Sequence, residues 1–293
     1  MSETLSSPVV GGAGKILVAR HALATRVTHW LNALCIIGLL MSGLNIFMAH
    51  PALYLGQAGS DLDRSVFEIG AQSGETGHPV GFVRFGDKTL VTTGALGAIQ
   101  DEDGDWRERA FPFWATLPSA RDLSLARRWH FFFAWLFVLN LAAYYGFGLV
   151  NGHLRRDLLP ERAQLRPKAL LLDVVHHLKL QFPKGEAALR YNPLQKLAYL
   201  GVIGLLLPLA ALTGMTMSPG LDAIFPWLVD LFGGRQTART LHFIAANLIT
   251  LFIAVHLAMV VLAGPINEIR SMITGKFKID RETSDERAAH SAP

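Results

Sequence analysis

The sequence predicts an all-α membrane protein, a bundle of four transmembrane helices with a long outer loop between helices 1 and 2. Three observations carry that expectation. Of the 293 residues, 51% are hydrophobic and only 17% are charged, with a mean hydropathy of +0.32; soluble domains carry about 25% charged residues. Four apolar stretches, near 28–49, 130–150, 194–215 and 241–262, are long enough to cross a hydrocarbon core about 30 Å thick. On the last of them His242 and His256 stand 14 positions apart. That spacing returns the second imidazole to within about 40° of the first, about 21 Å further along the axis.

Taken in chain order, residues 1–27 read as a cytoplasmic N-terminal segment, 28–264 as the membrane domain and 265–293 as a cytoplasmic tail. The Ser- and Gly-rich residues 1–14 and the charged chain from Lys278 onward are expected to be disordered ends. The first apolar run has the length of a full span and contains His29, so it is read as an uncleaved helix rather than a secretory signal. Cys35 is the only cysteine, which excludes an intrachain disulfide, a four-cysteine cluster and covalent haem attachment. It reads as a small packing residue.

Loop charges set the orientation. Residues 151–196 carry nine Lys/Arg against four acids (Asp157, Glu161, Asp173 and Glu186), and Lys15, Arg20 and Arg26 precede the first span. The loop 50–129 has eight Lys/Arg against eleven acids but is too long for its charge to count. Both termini and the loop 151–195 are therefore expected in the cytoplasm. The outer loop holds strand-like pieces (VGFVRFGDKTLVTT), an acidic patch DEDGD at 101–105 and an aromatic turn FPFWATLP. It reads as an ordered docking platform or a cap over an outer cofactor, with a flexible connector as the alternative. Residues 168–180 read as an interfacial helix on the inner leaflet and 222–232 as a short outer one. No internal repeat is visible.

Depth sorts the eleven histidines. His29 lies at the cytoplasmic start of span one, His130 opens span two from outside, His242 opens span four from outside, and His256 lies deeper. Packed helices then match His130 with His242 and His29 with His256. Ionisable groups inside a membrane are costly and usually functional, and each pair supplies two axial imidazoles to one haem b. Iron held on both sides has no open position, which suits electron transfer rather than oxygen chemistry. The alternative is four polar residues hydrogen-bonded within a bundle. Arg26, Arg128 and Arg239, with Arg127, flank these histidines as candidate partners for haem propionates, or as interfacial anchors. Gly43, 14 residues after His29, would let a porphyrin approach the backbone. His50 is a candidate proton-handling group or reserve outer ligand, and His153 or His177 a proton relay. His21, His78, His176 and His290 read as interfacial or solvated.

RVTHWLNA at 26–33, WHFFFAW at 129–135 and LHFIAANLITLFIAVH at 241–256 resemble the di-haem cytochrome b561-like membrane subunits of bacteria. These include the b-type subunits of nickel–iron hydrogenases, formate dehydrogenases and thiosulfate reductases. The resemblance implies two noncovalent haems b, with ligand pairs His29/His256 and His130/His242, in a bacterial inner membrane. It also implies quinone exchange at the cytoplasmic haem. RYNPLQK at 190–196 resembles the family's quinone-pocket segment and gives that role to Asn192, with Gln195 second. Leu194 replaces the family's small residue there, and Asn192 before Pro193 also makes a good helix start. The long outer loop resembles the thiosulfate-reductase-type variant, whose partner is an exported molybdenum-cofactor enzyme.

The expected function is transmembrane electron transfer between quinone or quinol and a periplasmic redox protein or molybdoenzyme subunit, with membrane lipid and no nucleic acid as further surroundings. One rival is a self-contained superoxide:quinone oxidoreductase. The other is a haem-less anchor for a partner enzyme.

Overall fold

In the computed structural model, residues 9–11, 15–60, 63–75, 77–152, 159–161, 164–179 and 192–280 are described. Among the described residues, four helices are long and apolar enough to cross a membrane: α1 (Leu23–Phe47), α2 (Leu123–Val150), a composite third span Pro193–Thr216, and α8 (Arg235–Ala263). Their exposed side chains include Leu34, Ile37, Trp135, Leu139, Leu251 and Val255, the reverse of a soluble core-facing helix and suited to lipid.

The third span is not one regular helix. It comprises α4 (Pro193–Gly201), a π turn at Val202–Leu206 and α5 (Leu207–Thr216). Pro208 is the cause: it has no N–H for the carbonyl four residues back, and its ring crowds that carbonyl. The Tyr145 hydroxyl donates to the Ile203 carbonyl inside the widened turn. α3 (Pro167–Leu178) falls where an interfacial helix was expected. The expected single helix at 222–232 is two, α6 (Pro219–Ile224) and α7 (Trp227–Leu231), divided where Pro226 disfavours helical backbone at Phe225.

The all-α expectation is corrected: the chain also contains strands. The contacts divide it into two compact units. The first gathers the described parts of Met1–Trp30, Leu141–Leu205 and Thr250–Pro293. Here β1 (Val9–Gly11), β2 (Lys15–Ala19) and β9 (Lys276–Asp280) form an antiparallel sheet with β2 in the centre. Val9–Gly11 and Lys278–Asp280 are therefore paired backbone, where disordered ends were expected. α9 (Pro265–Thr274) leads into β9 between two glycines with positive φ, Gly264 and Gly275. Arg20 bridges to Glu268 at 2.9 Å and lies over the Phe277 ring. The Trp30 indole donates to the Met272 carbonyl at 3.1 Å, and Arg26 donates to that of Ile273.

The second unit comprises Leu31–Asn140 and Leu206–Ile249. Between α1 and α2 it holds a four-stranded antiparallel sheet, β3 (Ala52–Leu53), β4 (Phe67–Ser73), β5 (Pro79–Phe85) and β6 (Lys88–Val91), in that order. A separate hairpin pairs β7 (Gly97–Gln100) with β8 (Trp106–Arg109). The sheet shares one core with helix ends: Leu53, Ile69 and Val83 pack with Phe47 and Met48, with Phe243 of α8 against them. Asn45 of α1 donates to the Pro118 and Ala120 carbonyls at 2.7 and 2.8 Å, tying the chain that leads into α2. Buried Arg109 donates to the carbonyls of Phe111 and Ser119 and to the Thr116 hydroxyl, and burial pushes its pKa down.

Glycine permits the closest approach in this segment. A Cβ on Gly97, whose φ is +80°, would lie 2.1 Å from the Gly70 carbonyl oxygen, and one on Gly81 would lie 2.2 Å from that of Leu96. Neither neighbour is a side chain that can swing away. Gly97→Ala is therefore expected to destabilise this segment by about 1–3 kcal/mol. Limited proteolysis should cut within 50–122 faster while circular dichroism keeps the helical signal; unchanged cleavage would contradict the packing described.

Candidate functional site

Each expected histidine pair lies within a single unit. In the second unit, α2 carries His130 and α8 carries His242, their ring centres 6.3 Å apart at an interplanar angle of 66°. In the first, α1 carries His29 and α8 carries His256, at 6.4 Å and 59°. Both separations suit a metal between the rings. An imidazole nitrogen binds a transition metal at about 2 Å and the ring centre lies about 1 Å further back, so two rings on opposite sides of one ion are centred about 6 Å apart.

The surroundings of the pair His130/His242 repeat. Ser42 on α1 places its hydroxyl 3.0 Å from His130 Nδ1, and Thr213 on α5 places its hydroxyl 3.1 Å from His242 Nδ1. His242 Nδ1 also lies 2.9 Å from the Ala210 carbonyl. The next residue in each case is glycine. A Cβ on Gly43 would stand 3.4 Å from His130 Cε1, and one on Gly214 would stand 3.3 Å from His242 Cε1. Gly43, expected to leave room for a porphyrin, lies against the imidazole of His130. Sequence reading missed Ser42, Thr213 and Gly214. The available signal was a hydroxyl followed by glycine in spans one and three.

The pair His29/His256 is furnished differently. The Phe252 ring stacks on His256, with centres 5.7 Å apart, and Trp30 meets His29 edge-on. His29 Nδ1 is buried without a hydrogen-bond partner. A buried polar atom left unpaired costs about 1–3 kcal/mol.

The arginines divide. Arg239, one turn before His242, donates to the carbonyls of His50 and Ala52 and lies over Phe47. Arg26 donates to the Ile273 carbonyl. Arg128 is exposed, with only a long 3.5 Å approach to Ser124. Asn192 and Gln195 form a reciprocal capping box at the start of α4, in which each side chain accepts from the other's backbone N–H. His50 stacks on Tyr54, and its Nε2 is buried without a partner. It lines a cleft of about 650 Å³ together with Asp63, Arg64, Glu68 and Arg84. In the acidic patch, Asp101 accepts from Arg107 at 2.7 Å, which holds its carboxyl below the usual range. That contact persists above the ordinary carboxylate range and is lost as pH falls through the lowered value. His153 and the side chain of His177 lie outside the described residues.

Four apolar spans, three of which carry histidines that meet in two pairs, define a membrane protein with a furnishing suited to haem. The chain matches the prokaryotic cytochrome b561 family over residues 20–275 and belongs to it; membership implies haem b. It is 27% identical over 248 residues, 85% of this chain and 93% of the other, to a putative protein-methionine-sulfoxide reductase subunit, YedZ1, of Azospira oryzae. It is 33% identical over 148 residues, 47% of this chain and 54% of the other, to the putative cytochrome YdhU of Escherichia coli. No solved structure matches it.

The glycine contacts set a steric limit on the second unit's pair. Gly43→Ala adds a contact near the edge of the tolerated range, whereas Gly43→Val puts two further methyl groups against His130. The valine variant is expected to lose haem absorbance per protein and the alanine variant to keep most of it. Equal retention by both would remove the steric role.

Proposed function

We propose that this chain is a two-haem transmembrane electron conduit, exchanging electrons with quinone at its cytoplasmic end and with a periplasmic redox protein at the other. The observation that carries the reading is the pair of histidine couples, His29/His256 and His130/His242, both at the separation that one metal between two imidazoles requires. Haem b at each couple supplies one-electron transfer. His29 with His256, and His130 with His242, are the residues that would hold it, and an iron so ligated would suit electron transfer rather than substrate binding.

Further residues support the reading in distinct ways. Arg128 beside His130, and Arg26 three residues before His29, have guanidinium donors for propionates, and Arg239 would contribute from the first turns of α8. Asn192 and Gln195 would take part in quinone binding while capping α4, a double duty that their hydrogen bonds restrict. Lys/Arg enrichment in 151–196 favours both termini in the cytoplasm of a bacterial inner membrane. The partner is proposed to be an exported oxidoreductase of the molybdenum-cofactor type, in keeping with the relative named as a subunit of a protein-methionine-sulfoxide reductase. The folded segment between α1 and α2 would present it with a defined surface. Substrate choice would then rest with that partner, and this chain would not be a complete enzyme.

A pyridine haemochrome assay on the purified protein tests the count. Two haems per polypeptide are expected, with one lost in His242→Ala and one in His256→Ala. A ratio near one would remove a couple from the scheme, and a colourless protein made with ample haem would leave only the membrane anchor.

A further inference from the structure

We propose that Ser42 and Thr213 are positioning residues that fix the protonated nitrogen of His130 and His242 and hold down the reduction potential of the haem between them; this rests on the two-haem reading above. Each hydroxyl has a single proton, and each has already placed it. Ser42 Oγ donates to the Gly38 carbonyl at 2.6 Å, and Thr213 Oγ1 donates to that of Leu209 at 2.6 Å. Toward the imidazoles, at 3.0 and 3.1 Å, both oxygens are then acceptors. The carbonyl of Ala210, which can only accept, meets the same Nδ1 of His242. Nδ1 must therefore carry the hydrogen, and Nε2 keeps the lone pair that a metal takes.

The two cradles are copies of one pattern. In each, a hydroxyl and the glycine that follows it face a single imidazole: Ser42 and Gly43 for His130, and Thr213 and Gly214 for His242. Spans one and three thus do for spans two and four the same job, a structural repeat that the sequences around them do not show. An imidazole whose N–H is accepted gains imidazolate character, donates more strongly to iron and favours the ferric state. The device belongs to one couple, because His29 Nδ1 in the other is buried without an acceptor.

The test is a potentiometric titration of the full-length purified protein, followed by haem absorbance, on Ser42→Ala, Thr213→Val and the double variant, with Ser42→Thr and Thr213→Ser as conservative controls. Haem content is counted in each. The expected result is unchanged haem content, a positive shift in one of two midpoints, a larger shift in the double variant, and a return toward wild type in the controls. Thr213→Val should shift less than Ser42→Ala if the Ala210 carbonyl keeps hold of His242. If Ser42→Ala sheds haem, Thr213→Val decides. Variants that keep their haem with both midpoints unmoved overturn the proposal alone, as do controls that shift as far as the deletions. A colourless wild type overturns the conduit reading and this proposal with it.

Discussion

An imidazole set in an apolar helix must be given partners, and the placement of four of them constrains the rest of this chain. Solvation lost in hydrocarbon has to be replaced by something inside the protein or bound to it. At His130 and His242 the Nδ1 nitrogen is met by a hydroxyl drawn from a neighbouring span, and at His242 by a backbone carbonyl as well. The hydroxyls cost the membrane little, because each first satisfies itself on a carbonyl one turn back. Glycine at the following position then lets the imidazole lie against the helix. Asn140 likewise donates to Asn32 at 2.8 Å rather than standing alone.

How much was legible from sequence depends on what each residue costs. Histidine in a span is expensive and conspicuous, so all four histidines that meet in pairs could be named before any coordinates. Ser42 and Thr213 are cheap, self-satisfied and common in membrane helices, and only a distance across to another helix gives them a role. The span starts were placed late for a related reason. Hydropathy fades at Arg127, Arg128, Arg235 and Arg239, yet the helices run on through them to Leu123 and Arg235. Arginine is a good helix former whose charge reaches water or carbonyls.

Strands were harder to read. The run through β5 and β6 alternates enough to be noticed as strand-like, but its seven- and four-residue pieces carried too little signal to displace a loop. β9 was hidden by composition. Lys276, Phe277, Lys278 and Ile279 alternate exposed and buried, yet they merge into a charged tail that looks solvated as a whole. Pairing with β2, from the opposite end of the chain, is a long-range fact that local pattern does not contain.

The folded segment between α1 and α2 also answers a local need of α8. A helix begins with N–H groups that have no partner within it. Here the Gly56 carbonyl accepts from Gln236 and Thr237 at 2.9 and 3.2 Å, and the Gln57 side chain accepts from Arg235. Gly234, with φ +112°, lets the two chains meet where any Cβ would strike Gly56. The next turn is held as well, since Arg239 donates to the carbonyls of His50 and Ala52 and Thr240 donates to that of Tyr54 at 2.7 Å. Every turn of α8 up to His242 is thus fastened to residues 50–57, and Phe47 stacks on Phe243 just beyond. A helix end normally frays; this one cannot without breaking into a hydrophobic core. The segment is therefore more than a platform for something else, because its nearest strand and turn fix the helix turn from which His242 projects.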